Sequence, residues 1–182
     1  MEDDADDPLA SGLAAGNSRA LAALYDRVAG RLYRVAMRLL DCREDAEDAV
    51  QEVFVSLVRS RERLPQVRDL DAYLFASLRR AAARRGIQRA RLPIASDAGL
   101  PEAVARPDCP GGGGLSDDLC QALGALPAQQ REVIALKIDG ELTFAEIGQV
   151  MGTNANTAAS RYRYALEKLR ETLTEAQGER LR

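Results

Sequence analysis

Residues 143–170, TFAEIGQVMGTNANTAASRYRYALEKLR, contain two helical patterns that are joined by a short Gly-Thr-Asn break. Thr143 precedes Glu146 by three residues, which is the spacing of a capping box, so the first helix is predicted to begin at Phe144. Gly152 follows this helix and is suited to the left-handed conformation that ends many helices. The stretch therefore predicts a short capped helix, a tight turn and a second, longer helix.

The second helix has one apolar stripe and an opposite polar face. Asn154 or Asn156 is predicted to cap it with a side-chain oxygen. The apolar stripe consists of Ala158, Tyr162, Ala165, Leu166, Leu169 and Leu173. A rotation of about 100° per residue turns the polar set outward, namely Asn156, Thr157, Ser160, Arg163, Tyr164 and Glu167, with Arg161 and Lys168 on the flanks. These side chains are suited to base edges and phosphates.

This arrangement predicts a helix-turn-helix whose second helix lies in a DNA major groove. An ordinary solvated helix face is the alternative explanation for the polar side chains. The capped first helix and the short turn favour DNA recognition over that alternative.

The composition favours an all-α protein. The chain has 182 residues, enough for one mid-sized domain or two small ones, and it contains no Trp and only 4% aromatic residues. Ala, Leu, Arg and Glu are abundant, and the alternation of Val, Ile and Thr that is typical of strands is rare. No apolar run approaches the roughly 18 residues of a membrane span.

The chain is expected to be a cytoplasmic protein without catalytic activity. Its acidic N-terminus, MEDDADDPLA, is unlike a signal peptide. With Cys42, Cys109 and Cys120 widely spaced and no His in the chain, neither a disulfide framework nor a zinc site is expected, and all three thiols are predicted to be free. No cofactor or metal is predicted, and no pairing of a nucleophile with a base indicates an enzyme.

Charge is strongly segregated along the chain, although the net charge is only −3. Residues 2–7 and 41–52 are rich in acids, whereas residues 79–91 contain six arginines and no acidic residue. A local basic surface of this kind binds phosphates even on a protein that is acidic overall.

The chain is predicted to divide into four segments. Residues 1–17 form an acidic tail that is expected to be mobile, and residues 18–92 form a first helical domain. Residues 93–115 are rich in Pro and Gly and are predicted to be a flexible linker. Residues 116–176 form a second helical domain that contains the helix-turn-helix. The predicted fold class is therefore all-α, with two small helical domains.

Two amphipathic patterns define the first domain. A long helix has the apolar positions Leu21, Leu24, Tyr25, Val28, Leu32, Val35, Ala36, Leu39 and Leu40. The next helix has the apolar positions Ala46, Ala49, Val50, Val53, Phe54, Leu57 and Val58. Further helix starts are marked by capping or break residues, namely Asp41 with Glu44, Asp69 or Asp71 after Pro65, Ser116, and Pro127.

Two motifs resemble a known family. Residues 126–171, LPAQQREVIALKIDGELTFAEIGQVMGTNANTAASRYRYALEKLRE, resemble region 4 of sigma-70 transcription factors, in particular the extracytoplasmic-function (ECF) group. Residues 43–57, REDAEDAVQEVFVSL, resemble the region 2.2 helix of the same group. The resemblance covers nearly the whole chain apart from the tail and the linker. It implies a dissociable promoter-specificity subunit of bacterial RNA polymerase.

The resemblance implies two contacts with core RNA polymerase. In the family, the region 2.2 helix docks on the clamp helices of the β′ subunit, and region 4 also binds the flap of the β subunit. The implied docking residues are Asp45, Glu47, Asp48, Gln51 and Glu52. A solvated acidic face is the alternative explanation, but the acids and the apolar spacing match together, which favours docking. An anti-sigma protein is a further partner that the family allows, and no membrane contact is expected.

The resemblance also implies two contacts with promoter DNA. Region 4 binds the −35 element, for which the matching side chains are Asn156, Thr157, Ser160, Arg161, Arg163 and Tyr164. Region 2.3–2.4 opens the −10 element, and the matching stretch, residues 73–91, offers Arg79, Arg80, Arg84, Arg85, Arg89 and Arg91 to backbone phosphates. Tyr73 and Phe75 are expected in the core rather than stacked on bases.

The sequence departs from the family pattern at four positions. Tyr73 stands where Trp is frequent, and Arg80 and Arg84 stand where Asn and Asp are frequent. Ala159 stands where many relatives have a basic residue. Duplex opening is therefore expected with an altered −10 base preference, and −35 binding with one contact fewer.

Two other functions remain open at this point. A polymerase-independent regulator would use the same helix-turn-helix, but it would leave the acidic helix and the arginine stretch without a joint purpose. A protein-interaction module, in which both domains bind only other proteins, is the second of these alternatives.

Overall fold

All regular elements in the described part of the chain are helical, which confirms the all-α prediction. The computed structural model describes residues 8–40, 42–91 and 117–180, without the side chains of residues 8, 86–91, 117 and 176–180. The α-helices are α1 (Pro8–Ala14), α2 (Ser18–Leu40), α3 (Arg43–Arg59), α4 (Leu70–Arg91), α5 (Asp117–Gly124), α6 (Ala128–Ile134), α7 (Phe144–Met151) and α8 (Ala155–Arg180). A 3-10 helix, Arg61–Gln66, precedes α4, and a π-helical turn, Ala135–Asp139, continues α6. The predicted linker, residues 93–115, lies outside the described residues.

Helices α2, α3 and α4 pack together as a three-helix bundle. The buried side of α2 has helical spacing and includes Leu24, Val28, Leu32 and Val35, which are all fully buried. Burying one such aliphatic side chain contributes about 1.5–3 kcal/mol. This stripe, rather than intrinsic helix propensity, therefore fixes how α2 is oriented in the bundle.

Within the segment predicted as an acidic, mobile tail, residues 8–14 form a packed helix. Helix α1 lies against the 3-10 helix and buries Ala10 and Leu13. The acidic residues that suggested a mobile tail all precede Pro8, and residues 1–7 lie outside the described part. Ala10 and Leu13 lie three residues apart, so both fall on the packed side of α1.

The start of α4 matches its capping signal, whereas α3 and α6 each begin one residue later than predicted. The Ala72 amide donates to Asp69 Oδ1 at 2.9 Å, so Asp69 is the cap among the two candidates. Helix α3 follows Cys42, which makes no side-chain capping bond; Asp41, the predicted cap, is not among the described residues, and neither is Ser116. Pro127 is the residue before α6 rather than its first helical residue.

The helix-turn-helix has the predicted boundaries. Thr143 and Glu146 form the capping box, with the Glu146 amide donating to Thr143 Oγ1 at 3.2 Å. Gly152 ends α7 in the left-handed region at φ 66°. Asn154, not Asn156, caps α8, since its Oδ1 accepts from the Thr157 amide at 2.7 Å. Local sequence signals therefore determine both ends of the turn.

A tight contact inside the motif requires glycine at position 148. A Cβ there would lie 3.0 Å from the carbonyl oxygen of Thr153 and 3.1 Å from backbone atoms of Asn154 and Ala155. The missing side chain lets α7 lie directly against the turn that leads into α8. Helix α8 is thereby held at a fixed angle to α7.

One hydrophobic core joins the three-helix bundle to the C-terminal half. Leu74 and Phe75 of α4 belong to the same buried cluster as Leu136 and Ile147. Helix α7 packs on α4, and the π-helical turn packs on α2. A second, smaller cluster links α5, α6 and α8 through Ala122, Leu126, Ile134, Ala165 and Leu169. The two helical units that were predicted separately are thus in direct contact.

The prediction of three free thiols is wrong at Cys120. Cys42 is free, whereas Cys120 is disulfide-bonded. The prediction rested on the number and spacing of cysteines, which do not reveal which sulfur atoms the fold brings within bonding distance.

Candidate nucleic-acid and polymerase interfaces

The side of α8 that carries the predicted −35 contacts, called the recognition face, points away from the core. Its residues are Asn156, Thr157, Ser160, Arg163 and Tyr164, with Arg161 on the flank. Asn156, Arg163 and Tyr164 are exposed, and Tyr164 is 62% exposed. Thr157, Ser160 and Arg161 are half-buried. Arg163 donates from Nη2 to Ser160 Oγ at 3.3 Å, one turn back on the same face. Asn156, Arg163 and Tyr164 are therefore open to a partner, whereas Thr157, Ser160 and the flanking Arg161 are only partly open.

The opposite side of α8 holds the recognition face in place. Ala158, Ala165 and Leu169 are buried, as predicted for the apolar stripe, whereas Leu166 is 41% exposed and was wrongly assigned to it. The ring of Tyr162 packs against Phe144 at the start of α7, with ring centroids 5.7 Å apart. Helix α7 thus fixes the rotation of α8.

Three of the four predicted α4 arginines whose side chains are described pair with two carboxylates from other elements. Arg84 and Arg85 both pair with Glu52 of α3, and Arg85 Nη1 lies 2.7 Å from Glu52 Oε2. Arg79 Nε donates to Glu132 Oε1 at 2.6 Å, across the contact between the two halves. Arg80 is exposed and donates to Ser77 Oγ at 2.9 Å. The side chains of the two remaining predicted arginines, Arg89 and Arg91, are not described.

The Glu52 carboxylate lies between the two predicted interfaces. Hydrogen bonds from Arg85 and Arg84 hold the pKa of this carboxyl below its usual value, against the opposing effect of burial. Because the folded-state pKa lies below the unfolded-state value, the ionised group stabilises the fold above its ordinary pKa. That contribution is lost as the pH falls through the folded-state pKa.

The acidic side chains of α3 divide between two faces. Asp48 and Gln51 are exposed, and Glu47 is exposed while pairing with Arg43 at 2.8 Å. Asp45 is half-buried, and Glu52 is turned toward α4. Of the five predicted docking residues, Glu47, Asp48 and Gln51 therefore form the part of the set that a large partner can reach.

An exposed apolar patch continues this acidic face and was missed in the sequence. Val55 and Val58 of α3 are 47% and 40% exposed, and Tyr25 of α2 is 52% exposed with its ring centroid 4.9 Å from that of Phe54. Tyr25 and Val58 were assigned to buried stripes because they fall at helical spacing. Val55 does not lie on the side of α3 that the apolar spacing predicts to be buried. An apolar residue at such a position is the sequence signal that could have revealed the patch.

Of the two aromatic residues at the start of α4, one lies in the core and the other at its edge. Phe75 is fully buried. Tyr73 is half-buried, and its hydroxyl lies 2.9 Å from Ser60 Oγ. Phe75 confirms the expectation of a core position, whereas Tyr73 connects α4 to the segment that follows α3.

Over the described residues, no helix combines the length and the apolar character that crossing a membrane would need.

Comparisons with known proteins find similarity along most of the chain. The Sigma-70 region 2 family matches residues 24–91, and the Sigma-70 region 4 family matches residues 122–171. The ECF RNA polymerase sigma factor SigK of Mycobacterium ulcerans (strain Agy99) is 30% identical over 174 residues, which are 88% of this chain and 89% of SigK.

Solved structures show the same fold. The sigma factor RpoE of Bartonella quintana, in complex with the anti-sigma factor NepR, is 28% identical with a TM-score of 0.68, over 84% of this chain and 96% of RpoE. CnrH, in complex with the cytosolic domain of CnrY, has a TM-score of 0.67 at 24% identity, over 94% of this chain and 99% of CnrH.

Proposed function

Because the chain belongs to the ECF group of the sigma-70 family and is a factor for transcription initiation, we propose that it directs core RNA polymerase to promoters by binding their −35 and −10 elements. In this function it helps to open the DNA at −10. The main support for promoter binding is the exposed recognition face of α8, which follows a capped helix and a tight turn.

At the −35 element, α8 enters the major groove with its N-terminal turns. The guanidinium of Arg163 binds a base edge or a phosphate, and the hydroxyls of Thr157 and Ser160 add shorter-range hydrogen bonds. Tyr164 supplies a phenol beside them. The burial of Ala158 and Ala165 on the opposite side supports this orientation.

At the −10 element, the arginines of α4 bind backbone phosphates. Arg80 is exposed and ready for such a contact, whereas Arg79, Arg84 and Arg85 must first leave their carboxylate partners. Each released guanidinium exchanges a carboxylate for a phosphate, so part of the interaction energy is retained.

Docking on core polymerase uses the exposed side of α3. Asp48 and Gln51 supply the polar contacts with the β′ clamp helices, and Val55 and Val58 supply apolar area beside them. Depletion of charge with apolar area at the centre is typical of protein interfaces. Region 4 contacts the β flap, and an anti-sigma factor is a further partner, as NepR is of RpoE.

Run-off transcription with purified core polymerase tests the whole function. Genomic promoter fragments are transcribed with and without the protein, and the start sites are mapped. We expect specific starts that share sequence elements near −35 and −10. Retention on DNA without retention on core polymerase, and no specific start, would instead identify a polymerase-independent regulator.

Arg163→Ala is expected to weaken binding to the −35 element and to relax its sequence preference. The cost is about 1–3 kcal/mol if the guanidinium makes a bidentate base contact. Promoter affinity of the holoenzyme is measured on matched and mutated −35 sequences. Lys168→Ala, which removes a cation from the flank of α8, is the matched control. Equal promoter selection by the two variants removes Arg163 from the recognition face.

A further inference from the structure

A polar cleft lies between α3 and α4. Its polar lining consists of one carboxylate, two hydroxyls and two guanidinium groups, which belong to Glu52, Ser56, Ser77, Arg80 and Arg84. Val53, which is buried, adds apolar surface. The cleft contains about 320 Å³ of space, part of which is open to solvent. Ligand sites commonly range from about 300 to 1,000 Å³, so this cleft is of a size that suits a single nucleobase rather than a larger ligand.

A buried hydroxyl positions Arg80 at this cleft. Ser77 is only 8% exposed, and its Oγ donates to the Tyr73 carbonyl at 2.9 Å. The same Oγ accepts from Arg80 Nη2 at 2.9 Å. Because a serine hydroxyl has a single proton, donating it to the backbone leaves the lone pairs of this oxygen for the guanidinium. The orientation of Arg80 is therefore restricted before any ligand binds.

Arg80 also differs from its neighbours in its bonding partner. Among the arginines of α4 whose side chains are described, Arg79, Arg84 and Arg85 each pair with a carboxylate. Arg80 bonds the neutral hydroxyl of Ser77 instead. A guanidinium has five N–H donors, so this one bond leaves a pair of parallel donors that can bind a ligand without breaking an ion pair.

The donors and acceptors at the cleft are complementary to guanine. One edge of guanine presents two adjacent acceptors, O6 and N7, which an arginine fork binds in a bidentate manner. The next edge presents two adjacent donors, N1–H and the 2-amino group, which suit the carboxylate of Glu52. Adenine has a donor beside N7, and cytosine and thymine each offer a single donor group. Guanine is therefore the base whose edges match both Arg80 and Glu52.

We propose that the cleft between α3 and α4 binds one unstacked guanine of a DNA strand, and that Arg80 selects this base while Ser77 acts as its positioning residue. The inference rests on the proposed function, since the strand is the one that becomes exposed when the −10 DNA opens. The N–H groups of Arg80 that do not contact the base serve the phosphate contact proposed above. A base that is already unpaired enters a pocket at the lowest cost, so the cleft favours opened DNA.

Single-stranded oligonucleotides with one variable base test this selection directly. Short thymine strands that carry one central guanine, adenine, cytosine or thymine are titrated with the full chain at low salt, and fluorescence anisotropy gives the affinities. We expect the guanine strand to bind at least about fivefold more tightly than the others. A strand with 7-deazaguanine, which lacks the N7 acceptor, should lose most of this advantage. A strand with inosine, which lacks the 2-amino group, should lose only part of it.

Arg80→Gln is expected to change the preferred base. A glutamine amide donates to N7 and accepts from the 6-amino group of adenine, so the guanine advantage should disappear and the adenine strand should bind at least as tightly as the guanine strand. Arg63→Gln makes the same charge change at an exposed position of the 3-10 helix outside the cleft. This control should weaken binding to all four strands by about the same factor and keep the guanine advantage.

Ser77→Ala tests the positioning role. Because the hydroxyl acts through Arg80, this variant should lower the guanine advantage while its affinity for the all-thymine strand stays unchanged. A purely structural role of Ser77 would change the affinity for all strands alike. Circular dichroism confirms that each variant is folded.

Three results would overturn the assignment. The first is equal affinity for all four strands, including no measurable binding to any of them. The second is an Arg80→Gln variant that keeps the guanine advantage as Arg63→Gln does. The third is competition by guanosine monophosphate at a lower concentration than the guanine strand, which would assign the cleft to a free nucleotide instead of DNA.

Run-off transcription separates this inference from the proposed function. The promoters used by the wild-type chain should share a guanine in the −10 element, and Arg80→Gln should shift initiation toward promoters with adenine at that position. If the chain directs no initiation but still selects the guanine strand, the promoter function fails and the guanine site stands. If initiation is specific but every base is tolerated in place of that guanine, the guanine site fails and the promoter function stands.

Discussion

Phe75→Ala is expected to lower the free energy of unfolding by about 3–5 kcal/mol. Phe75 is fully buried in α4 and belongs to the core that joins both halves. The guanidinium carbon of Arg31 in α2 lies 5.4 Å from its ring centroid, so the ring also makes a cation–π contact with α2. A loss of this size removes a large share of the roughly 5–15 kcal/mol that keeps a domain folded.

Urea unfolding followed by circular dichroism measures this loss. Phe75→Leu keeps most of the buried volume and should cost less than about 1.5 kcal/mol. Val55→Ala changes an exposed apolar side chain and should stay within about 0.5 kcal/mol of the wild type. If Phe75→Ala unfolds as late as Val55→Ala, the ring does not support the core as its burial indicates.

Asp48→Arg is expected to weaken capture of core polymerase by about a hundredfold or more. Asp48 lies on the exposed side of α3, where the proposed contact with the β′ clamp helices forms. Replacing an acid with a cation in a complementary interface creates like-charge contacts that cost several kcal/mol, and each 1.4 kcal/mol is about tenfold in affinity. Binding of the isolated chain to DNA should change little.

Competition for core polymerase against a labelled wild-type chain provides the measurement. Glu62→Arg makes the same charge change at an exposed position of the 3-10 helix and should retain core binding. Core affinity that is the same for Asp48→Arg and the wild type would show that α3 docks through another face, or does not dock at all.

The helix boundaries around the recognition motif were predictable because their causes are local. Thr143, Glu146, Gly152 and Asn154 act on backbone groups within four residues of themselves, so their spacing in the sequence contains the necessary information. The polar face of α8 was predictable for the same reason, because the constant rotation of about 100° per residue fixes the direction in which each side chain leaves the helix.

The partners of the arginine stretch were not predictable, because they come from distant segments. Residues 79–91 contain no acid, yet Glu52 and Glu132 form ion pairs with three of the arginines from 32 or more residues away. The apolar patch around Val55 was missed for a related reason. Helical spacing shows which side of a helix is apolar. It does not show how many of the apolar side chains on that side are buried by the neighbouring helices.

The bond between Glu52 and the arginines of α4 has a consequence for how binding events influence one another. One carboxylate holds Arg84 and Arg85, so any partner that engages Glu52 releases two cations at once. A ligand of α3 that bonds Glu52 and a polyanion on α4 would then each favour the binding of the other. Thermodynamic reciprocity requires that each ligand raise the affinity for the other by the same factor. Two faces that lie on different helices are in this way joined into one energetically coupled unit through a single shared side chain.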